Sequence, residues 1–225
     1  MDREDWAIKI IIYKGAILIL QKHKMNHLQV YRDYARNLNN NKSLFTDESN
    51  LDTNDNGKID LPVEVQGRIS SKILDYYRVF IANKRIWSFA KNEEIRGFIN
   101  IIPLTDPGKK KKLPDLCGLT IIDSFLSEAC VGFYFAKKGA KPIDELYYLY
   151  FEDEPKGLNV DMEGYVQLLY MARGFAYWQE AVLSLQGNPS GSHSSLKEFK
   201  KMMPKVFPDF KWEEFVALYE KVKLK

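Results

Sequence analysis

Between Arg85 and Phe151 this chain offers one strand-like segment after another, and helical patterns lie only before and after that run. Arg85-Ile86-Trp87-Ser88-Phe89 alternates. Ile95 to Leu104 is short, β-branched and closed by Thr105-Asp106-Pro107-Gly108, and Leu119–Asp123, Val131–Ala136 and Leu146–Phe151 follow. Parallel strands would need a crossover of a dozen or more residues between neighbours, usually a helix, and no such rhythm is present. The pattern therefore predicts an α+β domain with a central antiparallel or mixed sheet flanked by helices.

The helical flanks are legible from periodicity. Leu61-Pro62 opens a stripe of Val65, Ile69, Ile73, Tyr76, Tyr77 and Phe80, with Pro62 in the first turn where its missing N–H is tolerated. Asp161 can cap a helix that turns Tyr165, Val166, Leu169, Ala172, Trp178, Val182 and Leu185 inward, with Gly174 marking a kink or a close approach. Gly187-Asn188-Pro189-Ser190-Gly191-Ser192 reads as a joint. Leu196–Met203 and Trp212–Val222 read as two amphipathic helices split by Pro204 and Pro208. Upstream, Trp6 to Leu20 fits a helix or a hairpin, although Leu20, His27, Tyr31, Tyr34, Ala35 and Leu38 continue at helical spacing and favour a long or broken helix. Asn39 to Asp60 is polar and reads as a loop. The expected organisation is an N-terminal helical segment and polar loop packed on the core (residues 1–60), an α+β core (61–186), and a linker with a C-terminal helical appendage (187–225).

Composition narrows the function classes. With 45% hydrophobic and 28% charged residues over 225 positions, the chain can bury a core and is too apolar to be disordered. Thirty-three basic against 30 acidic residues leave +3, far from the charge of an obligate nucleic-acid binder. The apolar run Ile10–Leu20 is too short to span a bilayer, and the acidic start Met1-Asp2-Arg3-Glu4-Asp5 does not read as a secretion signal. Cys117 and Cys130, without a CxxC partner, read as core thiols in a reducing, cytoplasmic compartment.

Asp52-Thr53-Asn54-Asp55-Asn56-Gly57-Lys58-Ile59-Asp60 matches the first nine positions of a calcium loop. Asp52, Asn54, Asn56 and Asp60 supply oxygens and Gly57 the sharp turn. Position 12 is Val63, so the bidentate carboxylate is missing, and an Asx-rich turn is the plainer reading. Calcium is thus an alternative, and no other cofactor is expected. His23 and His27 stand four apart without the Glu of a metalloprotease motif or a third ligand. Lys109 to Lys112 reads as a solvated basic loop. No nucleophile–base pattern is evident, so the chain is not expected to be an enzyme.

Charge is more segregated than its total implies. Asp144, Glu145, Glu152, Asp153, Glu154, Asp161 and Glu163 face a single base, Lys156, between residues 143 and 163. Asp161 and Glu163 suit a helix start. Asp144, Glu145, Glu152, Asp153 and Glu154 are the candidate partner-binding residues, an acidic face for a basic protein.

Several segments, taken in order, carry a resemblance. Leu61-Pro62 leads a helix into Ile73-Leu74-Asp75-Tyr76-Tyr77-Arg78-Val79-Phe80, and Gly97-Phe98-Ile99-Asn100-Ile101-Ile102-Pro103-Leu104 follows. Leu146-Tyr147-Tyr148-Leu149-Tyr150 runs through Leu158 to Met162-Glu163-Gly164-Tyr165-Val166. Gly174-Phe175-Ala176-Tyr177-Trp178-Gln179 and Phe207-Pro208-Asp209-Phe210 complete the series. Over residues 61 to 220 the chain resembles the SUKH superfamily, which includes yeast cell-wall synthesis regulators and many bacterial immunity proteins. It departs from the family in carrying Lys84 after Asn83, where Asn-Gly is frequent. The resemblance implies an α+β fold that works by binding. In the immunity branch the partner is a toxin, often a nuclease or deaminase; a regulatory scaffold and a calcium-responsive binding module are the alternatives. No binding residue carries over, because partner surfaces differ between members.

Overall fold

The computed structural model describes residues 36, 38–50, 83–101, 119–134, 144–151, 153–188 and 193–225. Seven strands and four helices follow in order: β1 (Leu44–Asn50), β2 (Asn83–Phe89), β3 (Asn92–Asn100), β4 (Leu119–Asp123), β5 (Ala129–Tyr134), β6 (Leu146–Tyr150), β7 (Lys156–Gly157), α1 (Met162–Met171), α2 (Trp178–Leu185), α3 (His193–Val206) and α4 (Trp212–Val222). The fold is α+β, as the strand-rich middle requires. Every described strand pairing is antiparallel, in a three-stranded meander β1-β2-β3 and a four-stranded meander β4-β5-β6-β7.

The two sheets meet where β3 ends. Ile101 forms an antiparallel bridge with Asp123, and the Ser124 N–H donates to the Asn100 carbonyl at 3.2 Å. Just before this junction the β4 register shifts between Ile121 and Asp123. Strict alternation would put Asp123 on the face of Leu119 and Ile121, which pack with Cys130 and Leu149. The extra residue turns Asp123 to the other side, towards Tyr165 of α1.

The segment from Arg173 to Tyr177 joins the helices to the sheet. Arg173, Gly174 and Tyr177 have φ of 54°, 64° and 60°, so the backbone reverses twice within five residues. Its groups complete the outer edge of β3: the Phe98 N–H donates to Gly174 O at 2.7 Å, and the Ala176 N–H to Arg96 O at 3.0 Å. A Cβ on Gly174 would stand 2.6 Å from Phe98 O, so this position requires glycine both for its φ and for the approach. On the inner side of β3, Trp87 Nε1 donates to Arg173 O at 2.6 Å, and its ring fills the space that Gly97 leaves open.

Three expectations need correction. Asn39–Asp60 is not loop throughout, because Leu44–Asn50 is an edge strand in full register with β2, from Leu44 opposite Phe89 to Asn50 opposite Asn83. An edge strand is held by its backbone, so it does not need the apolar alternation that betrays a central one. The helix expected to run from Asp161 to Leu185 is two helices with the Arg173–Tyr177 reversal between them. Pro204 lies inside α3, in its last turn, rather than ending it. Packing overrides the local cost there, since Met203 and Val206 on either side are buried.

The helices beyond the Gly/Ser joint do not stand apart from the core. Phe199, Met203 and Phe215 are fully buried in the same cluster as Trp87, Val131, Tyr165 and Leu183. Phe199 lies within 5.3–6.2 Å of the ring centres of Phe175, Phe210, Trp212 and Phe215. The final residues add backbone pairing: Val160 bridges to Lys223, and the Leu224 N–H donates to Asn159 O at 2.8 Å. Residues 38–40 are helical, Leu38 is buried, and Asn41 Nδ2 donates to Val206 O at 2.9 Å, tying the start of the described chain to α3. Asp161 caps α1 as expected, accepting from the Gly164 N–H at 2.9 Å. The Leu61–Phe80 stripe and Trp6–Leu20 lie outside the described residues.

Candidate protein-binding surface

The acidic stretch is divided by β6. Five residues of extended chain put roughly 13 Å between its ends, with Asp144 and Glu145 before the strand and Asp153 and Glu154 after it. Glu152 lies outside the described residues. Asp144 is exposed, but Glu145 serves the fold. Its Oε1 accepts from the Asn159 N–H at 2.9 Å and its Oε2 from the Tyr147 hydroxyl at 3.0 Å, and Gly157 leaves room for the carboxylate. Burial and the adjacent Glu145 charge push the Tyr147 phenol up to about 12. Glu145 thus pins β7 to the root of β6. Asp144 is the one acid at that end left to face solvent.

At the other end of β6 the chain builds an aromatic and acidic surface. Phe151 is 61% exposed although its backbone is left-handed, with φ 49°. It is held there by two backbone bonds: the Phe151 N–H donates to Glu128 O at 2.7 Å, and the Asp153 N–H to Tyr150 O at 3.1 Å. Its ring meets Tyr150 edge-on at 4.7 Å, and Tyr150 meets Tyr177 edge-on at 5.8 Å. The Tyr177 hydroxyl donates to Glu128 Oε1, and the Ser127 hydroxyl to Glu128 Oε2 at 2.7 Å. These two bonds hold the Glu128 carboxyl below the usual range, while burial and the same bond to Glu128 push the Tyr177 phenol up. Asp153 and Glu154 stand exposed beside this ridge. It can offer an apolar contact ringed by negative charge, the arrangement that favours docking of a cationic protein surface.

Phe151, Glu128 and Tyr177 were not among the residues expected to bind. Phe151 immediately precedes the acids, but an aromatic ending an apolar strand ordinarily reads as core. Glu128 and Tyr177 arrive from elements 23 or more positions away, which no local pattern shows.

A second polar constellation is internal. Asp123 is fully buried; its Oδ2 accepts from the Tyr165 hydroxyl at 2.7 Å and its Oδ1 from the Asn100 N–H at 3.3 Å. Gln179 Nε2 in turn donates to the Tyr165 oxygen at 3.1 Å, while Gln179 Oε1 has no hydrogen-bond partner among the described residues. Burial pushes the Asp123 carboxyl up to about 6 against the two hydrogen bonds it accepts. Cys130 is likewise buried, and its thiol is raised to about 11 by burial and then by the Asp123 charge. Asp123 and Tyr165 are fully buried, and their network joins β3, β4, α1 and α2.

The calcium-loop residues Asp52, Asn54, Asn56 and Asp60, like His23 and His27, lie outside the described residues. Among the described residues no cluster of three or more His, Cys, Asp or Glu side chains could hold a metal ion, and no helix is long and apolar enough to cross a membrane. No family model, curated protein or solved structure matches the chain.

Proposed function

We propose that this chain is a cytoplasmic, non-enzymatic binding protein of the immunity type, which protects its cell by docking a basic toxin domain onto the Phe151 ridge. The observation that carries this reading is an aromatic side chain 61% exposed on a left-handed backbone beside Asp153 and Glu154. A bulky residue in that conformation costs on the order of 1–2 kcal/mol, and the ring face left in water, beyond the edge contact with Tyr150, gains nothing for the fold. A partner that covers the ring and pairs with the acids would remove the exposure and offset the strain. The resemblance to the SUKH superfamily supports the same class of function.

The test is capture of the product of the neighbouring gene, with Phe151→Gly as the decisive variant. Glycine accepts φ 49° without strain, so F151G should melt no lower than the parent chain while losing at least tenfold in affinity. Reversing Glu152, Asp153 and Glu154 to Lys should slow association and flatten its salt dependence. A chain that neither binds nor protects against that gene product, or a toxin complex unaffected by both variants, would overturn the proposal.

A further inference from the structure

Next to the ridge, where the Arg173–Tyr177 reversal stops covering β3, the surface dips into a small notch. Its lining mixes polar and apolar groups: Leu126, Phe175 and Tyr177 contribute apolar surface, and Glu94 from the start of β3 and Glu198 from α3 stand beside them. The two acids come from elements about 100 residues apart in the chain, and both are exposed. Neither carboxylate makes a hydrogen bond or ion pair among the described residues. Arg96 also borders the notch, but its guanidinium lies over the Phe98 ring at 5.5 Å and its charge is felt by Glu128. Among the described lining residues, two acids stand against one base, so the rim keeps a net charge of −1.

Resting on the binding function proposed above, we propose that this notch is the specificity pocket of the surface and takes an arginine side chain of the partner. An arginine has both properties the notch asks for. Its three-carbon stem suits the Leu126 and Phe175 walls, while its planar guanidinium can lie against the Tyr177 ring and donate to two carboxylates at once. A lysine offers a point charge and no planar face, and an anionic or purely apolar side chain leaves Glu94 and Glu198 unneutralised. The position fits as well, because Tyr177 is shared: its ring meets Tyr150 of the ridge on one side and lines the notch on the other. A partner seated on Phe151 would have the notch within reach of a neighbouring residue.

The test uses the full chain, isotope-labelled for amide spectra, titrated with n-butylguanidinium as the side-chain mimic and with n-butanol and n-butanesulfonate as controls. Saturable shifts confined to Leu126, Ala176, Tyr177 and their neighbours are expected with the guanidinium alone, weakening at least fivefold in the double variant Glu94→Gln, Glu198→Gln. The double variant should otherwise keep the parent spectrum, since both side chains are exposed. Absence of saturable shifts, equal shifts with butanol, or unchanged affinity in the double variant would each overturn the notch. Because no partner is involved, its failure is separate from failure of the binding function, which is read by toxin capture with F151G. Toxin capture lost in F151G with guanidinium binding intact, and reduced in the notch variant as well, is the pattern that supports both.

Discussion

Asp123→Asn should stabilise this fold at neutral pH and erase a pH dependence that the parent chain shows. Asp123 is fully buried and its carboxyl is raised from 3.8 to about 6. Between those values the folded chain holds a proton that the unfolded chain releases. Stability from this group is therefore complete below about pH 4 and is lost as pH rises through about 6. Two pH units at about 1.4 kcal/mol each make the ionised form cost roughly 3 kcal/mol at neutral pH. The surroundings can serve the neutral form. With an amide at 123, Oδ1 still accepts from the Asn100 N–H, and Nδ2 donates to the Tyr165 oxygen that now donates to the carboxylate. The freed Tyr165 hydrogen then has an acceptor in Gln179 Oε1, which lacks a hydrogen-bond partner among the described residues, once that amide turns over. The assay is thermal and urea unfolding of both chains from pH 4 to pH 8. D123N is expected to exceed the parent by about 3 kcal/mol at pH 7.5, roughly 6–12 °C in Tm for a domain of this size, and to converge with it near pH 4. Tyr165 and Cys130, which both feel the Asp123 charge, stay neutral over this range because burial raises both. A D123N chain that is less stable than the parent by the same amount at every pH would refute the reasoning: the carboxylate would then be ionised and satisfied where it lies.

Three further substitutions test packing, backbone strain and a hydrogen bond in turn. Gly97→Ala should cost about 1–3 kcal/mol in urea unfolding, because its Cβ would overlap the Trp87 ring, which is pinned by Nε1 to Arg173 O and cannot swing away. Gly187→Ala, where a Cβ meets nothing within 4 Å but φ is 72°, separates backbone strain from overpacking and should cost only about 1 kcal/mol. Glu145→Ala should lower stability by about 1–3 kcal/mol by orphaning the Asn159 N–H, and amide exchange should quicken at 156–160 and 224 while β4 is unaffected. Unchanged exchange in that segment would return Glu145 to the acids available to a partner.

Elements whose identity depends on neighbouring residues alone were readable from the chain. β4 occupies Leu119–Asp123, α4 occupies Trp212–Val222 and α1 starts behind Asp161, each as its pattern of apolar residues or its capping side chain demands. The α+β class, with an antiparallel or mixed sheet, followed from the absence of helical patterns between Arg85 and Phe151. What escaped has a common cause: it is set by partners distant in sequence. β1 is a strand because β2 lies beside it, and nothing in Leu44–Asn50 announces that. The break between α1 and α2 forms because the Arg173–Tyr177 backbone finds the edge of β3, a gain no helical periodicity records. The acids were visible as a run of charge, yet a one-dimensional run cannot tell Glu145, whose carboxylate is spent on Asn159 and Tyr147, from Asp153, which faces water. Phe151 is the sharpest case. As a residue it reads as core, and it is surface because hydrogen bonds from the Phe151 and Asp153 N–H groups to the Glu128 and Tyr150 carbonyls fold the chain at the end of β6 into a conformation that turns its ring outward. Local chemistry sets which residues can form a helix or a strand; which of them face a partner depends on pairings that exist only once the chain has closed on itself.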